Sequence, residues 1–168
     1  VAGLGPHDQI LSTYRGHGWA LAAGLDPEAV FAEICQKASG LNGGRAGSAY
    51  FMAPGTRFVG ENSIVGAGTT IACGIALANL EAKNGRVVTV SIGDGALNQG
   101  AVHEAMAFAV IRNLPVIFVV ENNGWSEFSS TQDMFRIDRL AQRASGYGMP
   151  SATISGVDAV AVRDAFHT

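Results

Sequence analysis

Two short segments, each at the end of an apolar run, carry oxygen-bearing side chains that can bind a hard cation. Asp94 follows the run 86–92, and Asn122 and Asn123 follow the run 116–120. Together they offer a carboxylate and neutral amide oxygens. Mixed oxygen ligands suit Mg²⁺, which binds them at about 2.1 Å and commonly takes further oxygens from a phosphate. These residues therefore predict a magnesium site.

The residues that flank the carboxylate favour a phosphate next to it. Gly93 and Gly95 surround Asp94, and their lack of side chains permits a close approach to the main chain. The N–H groups of Gly95 and Ala96 come just before a predicted helix. Main-chain N–H groups and the dipole at a helix N-terminus attract anions. The chemistry of this segment therefore predicts a diphosphate held through Mg²⁺.

A βαβ unit is expected to place the two segments on one edge of a sheet. The run 86–92 is rich in β-branched residues and predicts a strand, and 98–113 predicts a helix. The run 116–120 is apolar at every position, which is typical of a central strand in a parallel sheet. Ligands bind outside the carboxyl ends of such strands. Asp94 and Asn123 should therefore lie close together.

The rest of the chain alternates between helical and extended patterns. Asp26 and Pro27 mark a helix start, since an N-cap carboxylate and a proline in the first turn are both favoured there. The whole chain predicts an α/β fold, with a mostly parallel sheet and helices on both faces. The further elements are a loop over 1–25, a helix from Asp26 to Gly40, a loop over 40–62, a helix over 64–83, a short helix over 137–146, a strand near 151–154 and a helix from Asp158.

Composition excludes several classes of protein. The chain has 168 residues, 48% of them apolar, and a net charge of −3 without a basic stripe, so a nucleic-acid partner is not expected. No apolar run reaches the roughly 18 residues of a membrane span, so a membrane partner is not expected either. Cys35 and Cys73 predict two buried, reduced thiols and a cytoplasmic location.

Five segments, in order along the chain, give it a family resemblance. The segments are YRGHG (14–18), NSIVGAG (62–68), GDGALNQG (93–100), NLPVIFVVENN (113–123) and GVDAVAVRDA (156–165). With them the chain resembles the α subunit of the thiamine diphosphate-dependent first component of 2-oxo-acid dehydrogenase complexes, of the pyruvate and acetoin dehydrogenase type. The resemblance implies a single thiamine diphosphate-binding domain over 1–168, with thiamine diphosphate and Mg²⁺ as cofactors. It also implies that N- and C-terminal parts of the family lie outside this sequence.

The resemblance implies a role for particular residues around the metal and the diphosphate. Asp94, Asn123 and the main-chain carbonyl of Trp125 match the magnesium ligands, although the family usually has Tyr at the last position. Tyr14 and Arg15 match the pair that contacts the diphosphate. A guanidinium suits this task because its planar fork meets two phosphate oxygens.

A second group of residues is expected around the rest of the cofactor. Ser63, Ile64 and Val65 match the loop at the aminopyrimidine, with Ser63 where the family usually has Gly. Gln99 either reaches the diphosphate or caps a helix. His17 is either a proton carrier near the substrate or a structural histidine. No complete catalytic machinery is expected, because in this family the activating glutamate comes from the β subunit.

The resemblance implies oxidative decarboxylation of a 2-oxo acid such as pyruvate, or cleavage of acetoin. The acyl group would pass to a lipoyl group on an acyltransferase core, and the assembly would be an α₂β₂ heterotetramer. A branched-chain 2-oxo-acid dehydrogenase α subunit is an alternative, but that family tends to have GEG in place of GDG. A transketolase-like N-terminal half and a non-catalytic α-like assembly subunit are further alternatives. The segment 66–71 does not predict NAD binding, since Ile71 stands where a dinucleotide fingerprint has Gly.

Overall fold

A parallel four-stranded sheet forms the centre of the chain. In the computed structural model, which describes residues 1–167, the strands lie in the order β2-β1-β3-β4. β3 pairs with β4 without interruption, from Val88 opposite Val116 to Gly93 opposite Glu121. The carboxyl ends of these two strands therefore lie side by side, as predicted. The strands are β1 (Gln9–Thr13), β2 (Phe58–Asn62), β3 (Val88–Gly93) and β4 (Val116–Glu121).

Helices connect these strands, and a small hairpin follows β4. A 3₁₀ helix, Asp94–Asn98, follows β3 directly. The hairpin strands are β5 (Trp125–Ser126) and β6 (Ser129–Ser130), which are antiparallel. The α-helices are α1 (His17–Ala22), α2 (Pro27–Ile34), α3 (Ala67–Glu81), α4 (Gly100–Ile111), α5 (Thr131–Met134), α6 (Gln142–Ser145) and α7 (Ala159–Ala165).

Helices cover both faces of the sheet, which confirms the predicted architecture. Neighbouring residues of a strand point to opposite faces. Leu11 accordingly packs with α3 and α4 in one buried cluster, while Ile10 packs with Ala20 of α1 and Val30 of α2 in another. Small residues allow α3 to lie close to the sheet: an ideal Cβ on Gly68 would be 3.4 Å from a methyl group of Val90. Each face of the sheet is therefore packed against helices.

The helix starts follow the capping rules used in the prediction. The Asp26 side chain accepts a hydrogen bond from the Glu28 N–H at 3.1 Å, and Pro27 opens α2. The Asp158 side chain accepts hydrogen bonds from the N–H groups of Val160 and Ala161, both at 3.0 Å. Capping side chains satisfy N–H groups that the helix itself leaves unpaired.

Three elements formed where loops were predicted. β1 and α1 lie within 1–25, and β2 lies within 40–62. Both strands carry buried polar side chains, Ser12 on β1 and Glu61 on β2, which hide the apolar pattern of an internal strand. Their assignment therefore depends on contacts between segments that are distant in sequence.

Other predicted elements were wrong in extent or position. β4 lies at an edge of this sheet rather than in its centre, and its residues are half-buried or exposed. Residues 151–154 form no strand, and the helix predicted over 137–146 is reduced to α6. Cys73 is buried but Cys35 is exposed, and both thiols are free. Thr168, the end of the predicted domain, lies outside the described residues.

None of the helices within residues 1–167 combines the length and the apolar composition needed to cross a membrane.

Candidate functional site

Asp94 joins the two oxygen-bearing turns at the carboxyl edge of the sheet. Its carboxylate is 2% exposed, and Oδ1 accepts a hydrogen bond from the Gly95 N–H at 2.8 Å. Oδ2 accepts a hydrogen bond from the Gly124 N–H at 2.9 Å. The second bond spans 30 residues of sequence, so the turn after β3 and the turn after β4 meet here.

The turn after β4 is rigidly built from its own side chains. Asn122 Oδ1 accepts from the Gly124 N–H at 3.1 Å, and Asn123 Oδ1 accepts from the Trp125 N–H at 2.9 Å. Gly124 has a φ of +80°, a conformation that favours glycine. Ser126 packs so close to Gly95 that any side chain on that glycine would collide with it. The close packing of the Ser126 side chain therefore explains the glycine after Asp94.

The donor set at this edge fits a hard divalent cation. The buried Asp94 carboxylate has lone pairs beyond those used by the two N–H groups. The amide oxygen of Asn123 has two lone pairs, so it can accept a hydrogen bond and bind a cation at the same time. Within residues 1–167, no three His, Cys, Asp or Glu side chains cluster as a metal site. A cation here would therefore depend on the amide of Asn123, the carbonyl of Trp125 and oxygens of its ligand, as suits Mg²⁺.

The segment before α3 lies against the start of α4 and presents apolar side chains. Ile64 and Val65 are 66% and 55% exposed, large values for such residues. The Ile64 N–H donates to Asn62 Oδ1 at 3.1 Å, which fixes the turn in which Ser63 lies. Gly66 ends it with a φ of +83° and packs against Gln99. The predicted segment 63–65 therefore reaches the region of Gln99.

Gly66→Ala should destabilise the protein more than Gly85→Ala. Both glycines have positive φ, +83° and +71°, so alanine strains the backbone at each site by about 1 kcal/mol. Only at Gly66 would the new Cβ also press on neighbours, Val102 Cγ2 at 2.9 Å and Gln99 Cβ at 3.1 Å. We expect Gly66→Ala to lower the free energy of unfolding by about 2–3 kcal/mol, measured by urea unfolding. Equal losses would show that the turn yields without cost.

Tyr14 and Arg15 follow β1 and therefore lie at the same edge. Arg15 Nη2 donates to the Tyr14 hydroxyl at 2.7 Å, and the guanidinium lies 4.9 Å from the centroid of the Tyr14 ring. Both residues are exposed. The pair is thus a solvent-facing cation with free donors, at the end of a strand that neighbours β3.

Two further predicted residues have defined surroundings. Gln99 is the N-cap residue of α4, but its side chain makes no capping hydrogen bond. His17 Nε2 lies 3.0 Å from the Ser48 carbonyl oxygen, and its ring stacks on Phe51 at 5.6 Å between centroids. These contacts join α1 to the segment before β2 and favour the structural interpretation of His17. Its use as a proton carrier stays a prediction.

Sequence reasoning missed a cluster that supports the turn after β3. Arg143 Nη1 donates to the Leu97 carbonyl at 2.5 Å and to Asn98 Oδ1 at 2.9 Å. His103 Nδ1 pairs with the Tyr147 hydroxyl on the same side. The cluster ties the 3₁₀ helix to α4 and α6. Each of its bonded pairs is separated by 40 or more residues of sequence, so no local pattern reveals it.

Glu61 was also missed, although it lies at the site. Its side chain is 5% exposed, and Oε2 accepts a hydrogen bond from the Gly16 N–H at 3.0 Å. Oε1 is buried and has no hydrogen-bond partner in the described part of the chain. Burial raises the pKa of this carboxyl to about 7, partly offset by the main-chain N–H donors. No signal in the sequence indicated this burial, because Glu61 lies in a segment, 40–62, that was predicted to be a loop.

Comparison with known proteins places the chain in a family. The family described as "Dehydrogenase E1 component" matches residues 2–168. The chain is 42% identical to the α subunit of acetoin:2,6-dichlorophenolindophenol oxidoreductase of Cupriavidus necator, over 96% of the chain and 49% of that protein. It is 39% identical to the pyruvate dehydrogenase E1 component subunit α of Zymomonas mobilis, over 94% of the chain and 45% of that protein. The chain thus spans about half the length of these curated relatives.

A solved structure agrees with the predicted fold class. An enzyme from Mycobacterium smegmatis, described as thiamin diphosphate-dependent, aligns with a TM-score of 0.59 at 20% identity, over 98% of this chain and 27% of that one. Such low identity bears on the fold alone, and the alignment confirms the predicted α/β fold with a mostly parallel sheet. Taken with the match over residues 2–168, this shows that the chain belongs to the dehydrogenase E1 component family.

Proposed function

We propose that this chain is the cofactor-binding part of the α subunit of a thiamine diphosphate-dependent dehydrogenase. The enzyme oxidatively decarboxylates a 2-oxo acid such as pyruvate, or cleaves acetoin, and passes the acyl group to a lipoyl carrier. The observation that carries the proposal is the hydrogen bond from the Gly124 N–H to Asp94, which joins the GDG and NN turns at one sheet edge. The family membership supports the same function.

The residues at the edge divide the work of holding the cofactor. Asp94, Asn123 and the carbonyl of Trp125 would bind Mg²⁺, and the buried carboxylate supplies the negative charge. Arg15 and Tyr14 would bind the diphosphate from the end of β1. The N–H groups of Gly95 and Ala96 and the side chain of Gln99 would face the same group from the start of the next helices. Gly93, at the end of β3, has open space beside it and would leave room for the diphosphate to approach the main chain.

The remaining contacts shape the organic part of the site. Ser63, Ile64 and Val65 would lie along the aminopyrimidine, and the two exposed aliphatic side chains would exclude water there. When bound, thiamine diphosphate supplies the electron sink that stabilises the carbanion left by loss of CO₂. This chain would contribute binding and orientation to that reaction, with the activating glutamate expected from the β subunit.

The proposal includes partners and a location. A β subunit would complete the site in an α₂β₂ assembly, and a lipoyl acyltransferase core would receive the product. The large exposed apolar residues support a partner, because isolated chains rarely leave so many uncovered. The exposed side chains on α3, α4 and the β5–β6 turn include Ile71, Leu80, Phe108, Ile111 and Phe128. Two free cysteines fit a cytoplasmic setting.

The choice of substrate class follows the relatives. The two relatives described above carry the names of acetoin and pyruvate enzymes, which supports these substrates over branched-chain 2-oxo acids. The retained Asp94, Asn123, Tyr14 and Arg15 support a catalytic rather than a purely assembling subunit.

Calorimetric titration of thiamine diphosphate tests the proposal. The titration uses the protein that carries this chain, with Mg²⁺ and with EDTA, and with and without its β subunit. We expect binding that requires Mg²⁺ and that tightens when the β subunit is present. Absence of binding under all four conditions would contradict the cofactor assignment and favour a non-catalytic relative.

A further inference from the structure

Glu61 is an acid in a place that disfavours charge. It lies on β2 opposite Ser12 of β1, and both side chains are buried, at 5% and 2% exposed. Glu61 Oε1 and Ser12 Oγ have no hydrogen-bond partner among residues 1–167. A buried carboxyl without full hydrogen bonding costs stability, and an apolar residue of similar size would avoid that cost. Its presence therefore needs a reason.

The hydrogen bond between the Gly16 N–H and the Glu61 side chain points to that reason. Oε2 accepts from the Gly16 N–H at 3.0 Å, across 45 residues of sequence and in a buried setting. Gly16 has a φ of −77°, which any residue can adopt. Glycine stands there because a side chain would collide with Ser12 Oγ and Glu61 Oε2. The acid and the glycine thus form a close-packed pair.

This pair adjoins the exposed Tyr14–Arg15 turn. Gly16 follows Tyr14 and Arg15, and the Gly16 carbonyl accepts from the Ala20 N–H at 2.8 Å as α1 begins. The guanidinium of Arg15 contacts the Tyr14 side chain. The N–H of Gly16 is therefore the point where the exposed turn is tied to the buried sheet.

We propose that Glu61 is a positioning residue that fixes the Tyr14–Arg15 turn, and with it the guanidinium that would meet the diphosphate, by accepting the Gly16 N–H. The inference deepens the proposed function and rests on it for the identity of the anion. In this role Glu61 acts through the Gly16 N–H rather than as a ligand of the cofactor.

Three variants separate this role from general stability. Glu61→Leu removes the acceptor, Glu61→Gln keeps an acceptor oxygen, and Ser12→Ala alters the same buried cluster without touching the Gly16 N–H. The first readout is hydrogen–deuterium exchange of the Gly16 amide in the α₂β₂ protein without cofactor, resolved by fragmentation mass spectrometry. We expect exchange to rise about 10-fold or more in Glu61→Leu and to change little in the other two.

The second readout is the dissociation constant of thiamine diphosphate with Mg²⁺, combined with Arg15→Ala. We expect Glu61→Leu to weaken binding about 10-fold, Glu61→Gln to stay within about 2-fold, and the effect of Glu61→Leu to vanish in the Arg15→Ala background. An unchanged Gly16 amide in Glu61→Leu, or additive effects with Arg15→Ala, would overturn the inference. If the wild-type protein binds no thiamine diphosphate, the proposed function fails, and the exchange experiment alone decides whether Glu61 positions the turn.

Discussion

Asp94→Asn should weaken Mg²⁺-dependent binding of thiamine diphosphate by about 100-fold or more. The substitution keeps the shape of the side chain but removes the only negative charge in the proposed ligand set. The Asp94 carboxylate accepts hydrogen bonds from the N–H groups of Gly95 and Gly124. In the asparagine variant, an amide NH₂ would face one of these two donors. We therefore expect a stability loss of about 1–3 kcal/mol beside the loss of binding. Calorimetric titration and urea unfolding measure the two effects separately.

Asp138→Asn is the matched control for the change in charge. Asp138 is exposed and lies in the loop after α5, so the same substitution removes one charge without altering a proposed metal ligand. The dissociation constant of thiamine diphosphate for the Asp138→Asn protein should stay within about 2-fold of the wild-type value, since exposed charges are screened by solvent and salt. If Asp94→Asn bound the cofactor and Mg²⁺ as tightly as this control, the metal assignment would be wrong.

Glu33→Leu should cause the largest loss of stability of any single change considered. The Glu33 side chain is fully buried and collects four main-chain N–H groups of the segment before β2. Replacing it leaves these donors without an acceptor, at about 1–3 kcal/mol each, so the free energy of unfolding should fall by at least about 4 kcal/mol. The donors are Asn42 at 2.7 Å, Gly44 at 2.9 Å, Ala46 at 2.7 Å and Gly47 at 3.3 Å.

Glu33→Gln and Glu28→Gln calibrate this expectation. Glu33→Gln keeps one oxygen and should cost about half as much, whereas Glu28 is exposed on the same helix and its replacement should cost about 0.5 kcal/mol or less. Urea unfolding gives the values, and hydrogen exchange over 42–47 shows whether the segment loosens first. Equal stability of the Glu33→Leu and Glu28→Gln proteins would contradict the role assigned to the buried carboxylate.

The same carboxylate predicts a dependence on pH. Burial alone would raise the pKa of Glu33, but the four main-chain donors outweigh it and hold the pKa below its ordinary value. Because the folded-state pKa is depressed, this stabilisation is present above the unfolded pKa of about 4.3 and is lost as the pH falls below it. The wild-type protein should therefore lose more stability between pH 5 and pH 3 than Glu33→Gln does.

Local sequence determined the centre of this protein. The apolar runs around Val90 and Phe118 and the helix between them predicted a βαβ unit, since hydrophobic periodicity and helix caps are properties of neighbouring residues. The position of Asp94 at the end of one run and Asn123 at the end of the next then predicted a shared edge. Parallel topology requires that the carboxyl ends of such strands meet, and the hydrogen bond from Gly124 to Asp94 agrees with this.

Tertiary structure decided the features that depend on distant partners. Neither β1 nor β2 has a strand-like pattern, because Ser12 and Glu61 occupy inward positions that are usually apolar. The segment 42–47 is ordered by one carboxylate on α2, and no rule of local propensity contains that contact. The burial that raises the pKa of Glu61 exists only once β2 lies beside β1 and the Gly16 turn closes over it. Desolvation and long-range hydrogen bonding are properties of the assembled molecule, which is why the sequence predicted the metal-binding edge but not the acid beneath it.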